Sequence, residues 1–194
     1  MSRVASTTPP EGALIPMRHP LAPATGSKIP SHYGHCFGCG ELHPTGLHLV
    51  AHMGEGATIT AKFTVTENHQ GAPGLAHGGL LSLAFDEAMG KLMWVIRTTT
   101  VTARLETNFI KPVPLGATLH ISAEITGQVN RKIYTAAVGR LGSPDGEIAV
   151  RAAALFVSVP MSHFLTQAPE GFLKEVAKNP ELLAFVDPEF EINP

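Results

Sequence analysis

The chain has 194 residues and a formal net charge of −2 at pH 7, with 44% hydrophobic and 15% charged residues. This composition supplies enough apolar side chain for one folded core and excludes a wholly disordered chain. The near-neutral charge gives no long-range attraction to a nucleic-acid backbone or an anionic membrane, so neither is expected as a partner.

The first 30 residues are rich in proline and poor in core-forming side chains. They hold six prolines and no aromatic residue. This composition predicts a flexible N-terminal arm over residues 1–30, ahead of one domain over residues 31–160. Pro9, Pro10 and Pro16 interrupt the N-terminal segment, so it lacks a continuous apolar stretch of signal-peptide length, and the chain has only two cysteines. Both features favour a cytoplasmic protein.

Both cysteines lie in the segment Cys36–Gly40, with the spacing Cys-X-X-Cys-Gly. A zinc site usually needs a second such pair, and His32, His35 and His43 nearby match no common zinc spacing. A thioredoxin-like redox role is disfavoured because His43–Gly46 replaces the helix expected after the motif. We therefore expect two small thiols buried in a turn, and no metal site.

Alternation of apolar and polar residues predicts a sheet with one buried face. The pattern is strict over Ala57–Val65 and over Leu119–Ile125. Four further segments are rich in β-forming residues: Gly46–Met53, Thr98–Phe109, Lys132–Leu141 and Glu147–Val159. These segments predict an antiparallel sheet of five or six strands.

The segment Gly78–Ile96 is apolar on nearly every face, as in a helix that is surrounded by protein. Three charged residues, Asp86, Glu87 and Lys91, disfavour a membrane span there. The predicted fold class is therefore α+β, with one long central helix wrapped by the sheet in the order β-β-α-β-β-β-β.

The last segment, residues 161–194, is acidic. Two stretches that begin at Pro169 and Pro180 place Pro and Glu where a first helical turn favours them. We expect an acidic C-terminal extension with short helices, whose apolar residues pack on the sheet or on a partner subunit.

The loop His69–Gly79 leads directly into the predicted helix. The first N–H groups of a helix lack partners and lie at the positive end of its dipole, which suits a developing oxyanion. Gly78 and Gly79 would let a ligand carbonyl approach the bare backbone, with tight helix packing as the alternative. We expect His77 to orient this loop in its neutral form.

Asp86 follows six uncharged residues, 80–85, in the predicted helix. Burial raises the pKa of a carboxyl group, which suits a general base or a nucleophile, while a structural partner for the carboxylate is the alternative. Glu87 stands four residues before Lys91, in the favourable order for a helix ion pair. Gly78 and Asp86 would lie about 12 Å apart along one helix, too far to act on one carbonyl.

Several motifs together resemble one known family. His77-Gly78-Gly79 is followed by Asp86 nine positions after the histidine, and further matching segments are Cys36–Gly40, Pro44–Leu47, Thr102–Pro112 and Gly127–Lys132. Over about residues 33–159 the chain resembles the hotdog-fold acyl-CoA thioesterases of the phenylacetate-pathway and thioesterase-superfamily-member type.

This resemblance implies hydrolysis of an acyl-CoA to the free acid and CoA, without a cofactor, and a place in fatty acid metabolism. It implies that the Gly78 N–H polarises the thioester carbonyl and that Asp86 is the nucleophile or the general base. Thr102 would position the water or the carboxylate.

The resemblance also suggests contacts to the rest of the substrate. Several relatives carry Asn or Gln at the position of Gly71, and Gln70 or His69 could replace that side chain here. Basic side chains at strand ends suit the CoA phosphates, with solvated surface charges as the alternative. The candidate substrate and CoA contacts are Gly79, Gln70, Asn108, Lys111, Arg131 and Lys132.

Hotdog domains pair antiparallel, so the resemblance implies a homodimer or a tetramer, in which Gly78 of one subunit faces Asp86 and Thr102 of the other. Two other functions remain open. A hotdog enoyl-thioester hydratase is disfavoured because the carboxylate stands nine residues after His77. A non-catalytic acyl-CoA sensor is disfavoured because both Asp86 and Thr102 are present.

Overall fold

The structure is a computed structural model, which describes residues 5–160, 162–165 and 174. A large antiparallel sheet curves around one long helix. The helices are α1 (Gly78–Lys91), α2 (Met93–Ile96) and α3 (Ser162–Leu165). The strands are β1 (Lys28–Ile29), β2 (Val50–Met53), β3 (Thr58–Thr64), β4 (Gln70–Ala72), β5 (Leu75–Ala76), β6 (Thr100–Phe109), β7 (Thr118–Val129), β8 (Lys132–Leu141) and β9 (Ile148–Ser158).

The sheet contains seven strands in the order β1-β2-β3-β7-β8-β9-β6, while β4 and β5 form a separate hairpin before α1. The predicted fold class is confirmed, but the sheet has one strand more than the upper predicted number of six. The additional strand is β1, whose residue Ile29 is buried opposite Ala51. Two residues are too short for an alternating pattern, so the sequence gives no signal for it.

The alternating pattern is explained by the two faces of the sheet. In β3, Ile59, Ala61 and Phe63 are buried in the core, while Thr60 and Lys62 are exposed. The same period in β7 buries Leu119, Ile121, Ala123 and Ile125 in the core that packs against α1. The hydrophobic core therefore lies between the concave face of the sheet and the helix.

The predicted helix Gly78–Ile96 is present but divided. The N–H of Leu92 bonds to Met89 O, which tightens the last turn of α1. The short α2 follows and ends at Arg97, which adopts a left-handed conformation (φ 53°). Among the described residues, no helix is long and apolar enough to cross a membrane.

The described part of the N-terminal segment lies on the domain. Leu14 pairs with Gln128, and the N–H of His19 donates to Val95 O at 2.9 Å. The flexibility of this arm stays a prediction. The helices predicted from Pro169 and Pro180 lie outside the described residues.

Strand β6 forms one edge of the sheet and packs against α1. The candidate site lies where these two elements meet. One side of β6 bonds to β9, with Thr102 opposite Phe156 and Phe109 opposite Val150. Among the described residues, no strand pairs with its other side, which is an open edge. The ten residues of β6 therefore present backbone donors and acceptors to any chain that pairs there.

Candidate active site

The loop before α1 is held by His69. Its ring is buried, Nδ1 accepts from the Thr66 N–H at 3.0 Å, and Nε2 lies 3.3 Å from Gly46 O. The backbone O of His69 accepts from the N–H of His77 at 2.8 Å. His69 thus uses both ring nitrogens and its carbonyl to fix the loop, and the structure does not direct it toward a ligand.

His77 caps the N-terminus of α1. Its Nδ1 accepts from the Gly79 N–H at 2.9 Å, and its backbone O accepts from the N–H groups of Leu80 and Leu81, both at 3.0 Å. An accepting Nδ1 leaves the ring proton on Nε2, which is the neutral form expected from the sequence. Within the described part of the chain, the Gly78 N–H has no acceptor. This amide is therefore an available donor at the positive end of α1.

Replacing His77 by Ala should destabilise the fold by about 0.5–2 kcal/mol, because the Gly79 N–H loses its capping acceptor. Urea denaturation measures this change. His35→Ala is the matched control, because His35 is exposed and its ring contacts that of Tyr33. Equal losses in the two variants would contradict the capping role.

The structure gives a steric reason for glycine at position 71, where the family resemblance suggests Asn or Gln. A Cβ atom at this position would lie 2.7 Å from His77 Cα and 2.8 Å from its Cδ2. A larger side chain would therefore displace the capping histidine. The Oε1 of Gln70 accepts from the Gly74 N–H at 2.9 Å, which braces the β4–β5 hairpin. Contact of Gln70 with substrate stays a prediction.

Asp86 and Thr102 are brought together by the packing of α1 along β6. The Thr102 hydroxyl donates to Asp86 Oδ1 at 2.8 Å. Burial raises the pKa of Asp86, and the hydrogen bond from Thr102 partly opposes that shift. In the described part of the chain, Asp86 Oδ2 receives no hydrogen bond. One carboxylate oxygen is thus fixed while the other is available to a water or a substrate.

Gly78 and Asp86 lie toward different ends of β6. A Cβ atom at Gly78 would lie 3.4 Å from Phe109 Cζ, whereas Asp86 contacts Thr102. Eight residues of α-helix separate the two groups by about 12 Å along the axis. One chain therefore does not bring the Gly78 N–H and the Asp86 carboxylate to the same point.

The candidate CoA contacts also lie at two ends of the sheet. Lys111 pairs with Glu147 at 2.5 Å, just beyond the Phe109 end of β6, and Asn108 is exposed on that end. The Nε of Arg131 donates to Ser158 O at 3.0 Å, and Ser158 stands opposite Thr100 at the other end. Lys132 follows Arg131 at the start of β8. Within one chain, Lys111 therefore lies far from Arg131 and Lys132.

The structure gathers the two cysteines into a cluster that the sequence did not predict. Ligand-type atoms of His32, Cys36, Cys39 and Glu87 all lie within 4.8 Å of one another. Glu87 also forms the expected ion pair with Lys91, at 3.3 Å. Glu87 was missed as a member because it is 51 residues from Cys36, a separation that local spacing does not reveal.

The other two histidines near the motif do not join this cluster. The ring of His35 contacts Tyr33, and the ring of His43 packs edge-on against Phe37 with centroids 4.6 Å apart. Cys39 is buried as expected, Cys36 is half-buried, and both are free thiols. A hydrogen bond between the thiols lowers the pKa of Cys39 and raises that of Cys36.

Comparison with known proteins finds similarity to thioesterases over part of the chain. Residues 73–144 match the model of the thioesterase superfamily. Acyl-coenzyme A thioesterase THEM4 of Xenopus laevis is 28% identical over 90 residues, which are 46% of this chain and 40% of that protein. The chain thus spans less than half the length of this curated relative.

Two solved structures share the fold. A thioesterase superfamily protein is 30% identical with a TM-score of 0.51, over 56% of this chain and 53% of its own. The PaaI protein from the phenylacetic acid degradation operon of E. coli is 18% identical with a TM-score of 0.53, over 58% of this chain and 80% of its own. The central helix wrapped by an antiparallel sheet is thus the hotdog fold, and residues 73–144 are similar to the thioesterase superfamily.

Proposed function

We propose that the protein hydrolyses an acyl-CoA thioester to the free acid and CoA. The observation that carries this proposal is the half-buried Asp86 carboxylate, which Thr102 holds by one oxygen beside the open edge of β6. The acyl-CoA thioesterase named among the relatives supports the choice of substrate class. A cytoplasmic location and a place in fatty acid metabolism belong to the same proposal.

The chemistry follows from the two groups. Asp86 Oδ2 takes a proton from a water, whose oxygen adds to the thioester carbonyl carbon. The Gly78 N–H donates to the carbonyl oxygen as negative charge develops on it. The C–S bond then breaks, and the proton held by Asp86 passes to the departing CoA sulfur. The products are a carboxylic acid and the CoA thiol, and no cofactor takes part.

The two groups act together only across a homodimer. If two β6 strands pair antiparallel around a twofold axis midway between Thr102 and Phe109, the Phe109 end of one chain lies beside the Thr102 end of the other. Gly78 of one chain then approaches Asp86 of the second chain. The exposed side chains of Phe109 and Ile110 support this pairing, because a second chain would cover them.

The same pairing would complete a phosphate-binding surface for CoA. It brings the Lys111 end of one chain to the Arg131 and Lys132 end of the second chain. Arg and Lys side chains bind phosphate oxygens through charge-assisted hydrogen bonds. We therefore infer that the CoA nucleotide lies across the dimer interface, and that one dimer contains two equivalent sites.

A panel of acyl-CoA substrates tests the activity directly. Acyl-CoA thioesters with acetyl, long aliphatic, enoyl and aromatic acyl groups are each incubated with the protein. Free CoA is then measured by chromatography. We expect CoA release from at least one substrate class. Binding of acyl-CoA without CoA release would favour a sensor, and loss of enoyl absorbance without CoA release would favour a hydratase.

Replacing Thr102 by Val should lower kcat about 10-fold, because the variant keeps the shape of the side chain but loses the hydroxyl that fixes Asp86. Steady-state kinetics on the preferred acyl-CoA measures this loss. Thr60→Val is the matched control, because Thr60 is an exposed threonine on β3, far across the sheet from β6. Unchanged kcat in Thr102→Val would reduce Thr102 to a strand residue.

A further inference from the structure

The ligand-type atoms of His32, Cys36, Cys39 and Glu87 lie within 4.8 Å of one another, close enough to surround one metal ion. Cys36 Sγ lies 3.3 Å from Glu87 Oε2, Cys39 Sγ lies 3.4 Å from His32 Nδ1, and His32 Nδ1 lies 3.6 Å from Glu87 Oε1. Zinc with bonds of about 2.0–2.3 Å separates its tetrahedral ligands by roughly 3.3–3.8 Å. The three measured separations fall within that interval.

The charges of the surroundings also suit a divalent cation. Two thiolates and one carboxylate carry three negative charges, of which a divalent ion neutralises two. The remaining charge is balanced by Lys91, whose buried ammonium lies 3.2 Å from Cys39 Sγ and 3.3 Å from Glu87 Oε1. The ion, its ligands and Lys91 would therefore sum to zero, as burial at low dielectric requires.

Neighbouring groups orient the sulfur of Cys39. The Lys91 ammonium donates to Cys39 Sγ, and Ser31 Oγ lies 3.2 Å from the same sulfur. Lys91 also donates to Pro30 O at 2.9 Å, which ties the segment before His32 to α1. Outer hydrogen bonds of this kind hold metal ligands in place.

The loop that carries the cysteines is shaped to admit the carboxylate. The Gly40 N–H donates to Cys36 O at 2.8 Å, which closes the turn between the two cysteines. A Cβ atom at Gly38 would lie 2.8 Å from Glu87 Cδ, so a side chain there would push the carboxylate away. Glycine at position 38 thus lets Glu87 reach from α1 to the cysteine loop.

We propose that His32, Cys36, Cys39 and Glu87 bind one structural zinc ion, which fastens the segment before β2 to α1. Thiolate and imidazole ligands favour zinc over magnesium or calcium, and four protein ligands leave no position open for a substrate. Each thiol releases its proton to solvent as its sulfur binds the metal. This site goes beyond the hydrolysis proposed above and does not depend on it.

The first test is metal content. The full chain is purified under reducing conditions without a chelator, and zinc is measured by inductively coupled plasma mass spectrometry. We expect about one zinc per chain in the wild type and in the control His35→Ala, and loss of the zinc in Cys39→Ser and His32→Ala. A wild type that neither contains nor takes up zinc would overturn the proposal, as would full zinc in Cys39→Ser.

A second measurement keeps the test decisive if the cysteine variant does not fold. Wild-type protein is stripped with a chelator and titrated with CoCl2. Tetrahedral coordination with sulfur ligands should give intense visible d–d bands and a thiolate-to-cobalt charge-transfer band, and added Zn2+ should remove both. An octahedral spectrum without charge transfer would overturn the proposal, and so would a Cys36–Cys39 disulfide in protein kept free of oxygen.

Discussion

Asp86→Asn should lower the rate of acyl-CoA hydrolysis by about 100-fold or more, because the amide removes the proton acceptor at nearly constant volume. The Thr102 hydroxyl can still donate to the amide oxygen, so the packing of α1 on β6 should be kept. The measurement is kcat on the preferred acyl-CoA, together with circular dichroism and size-exclusion chromatography of the variant.

Asp145→Asn is the matched control, because Asp145 is exposed in the turn between β8 and β9 and lies outside the proposed site. It should keep the wild-type rate. If Asp86→Asn instead retained more than about a tenth of the wild-type turnover, Asp86 would not be the base, and the proposed mechanism would fail.

Mixing two inactive variants should restore activity if the site is shared between subunits. One variant is Asp86→Asn, and the other is Gly78→Leu, whose side chain would occupy the space next to Phe109 in front of the donor N–H. Random exchange gives about half heterodimers, each with one intact site of two, so recovery should approach roughly 25% of the wild-type rate.

The control mixture combines Asp86→Asn with Asp86→Ala chains, in which no dimer contains an intact site. It should stay inactive. Native mass spectrometry of the two mixtures verifies that subunits have exchanged. With exchange verified, recovery near zero in the first mixture would show that Gly78 and Asp86 do not meet across the dimer.

The elements with strong periodicity could be predicted from the sequence. The strict alternation in β3 and β7 follows directly from burial on one face of the sheet. β1 could not be predicted, because its two residues are strand only through pairing with β2. The break between α1 and α2 at Leu92 could not be predicted either. No proline or glycine at that position marks the change of hydrogen bonding.

Some features of the candidate site could also be predicted from local sequence, whereas others join residues that are distant along the chain. The capping role of His77 and the available N–H at Gly78 depend on local helix-end chemistry, so the loop sequence was informative. The Asp86–Thr102 hydrogen bond joins residues 16 positions apart, and only the family resemblance suggested it. The His32, Cys36, Cys39 and Glu87 cluster joins a loop to a distant helix, so spacing within the loop gave an incomplete ligand set.

The two edges of the sheet differ in a way that limits assembly. The edge formed by β6 has ten residues, whereas the edge formed by β1 has two. A β6 strand that pairs with its symmetry mate uses the long edge of both chains, and the joined sheet then ends in a two-residue strand on each side. The proposed dimer then has no second long strand edge among the described residues. Without such an edge, pairing through β6 stops at two chains and does not grow into a fibre.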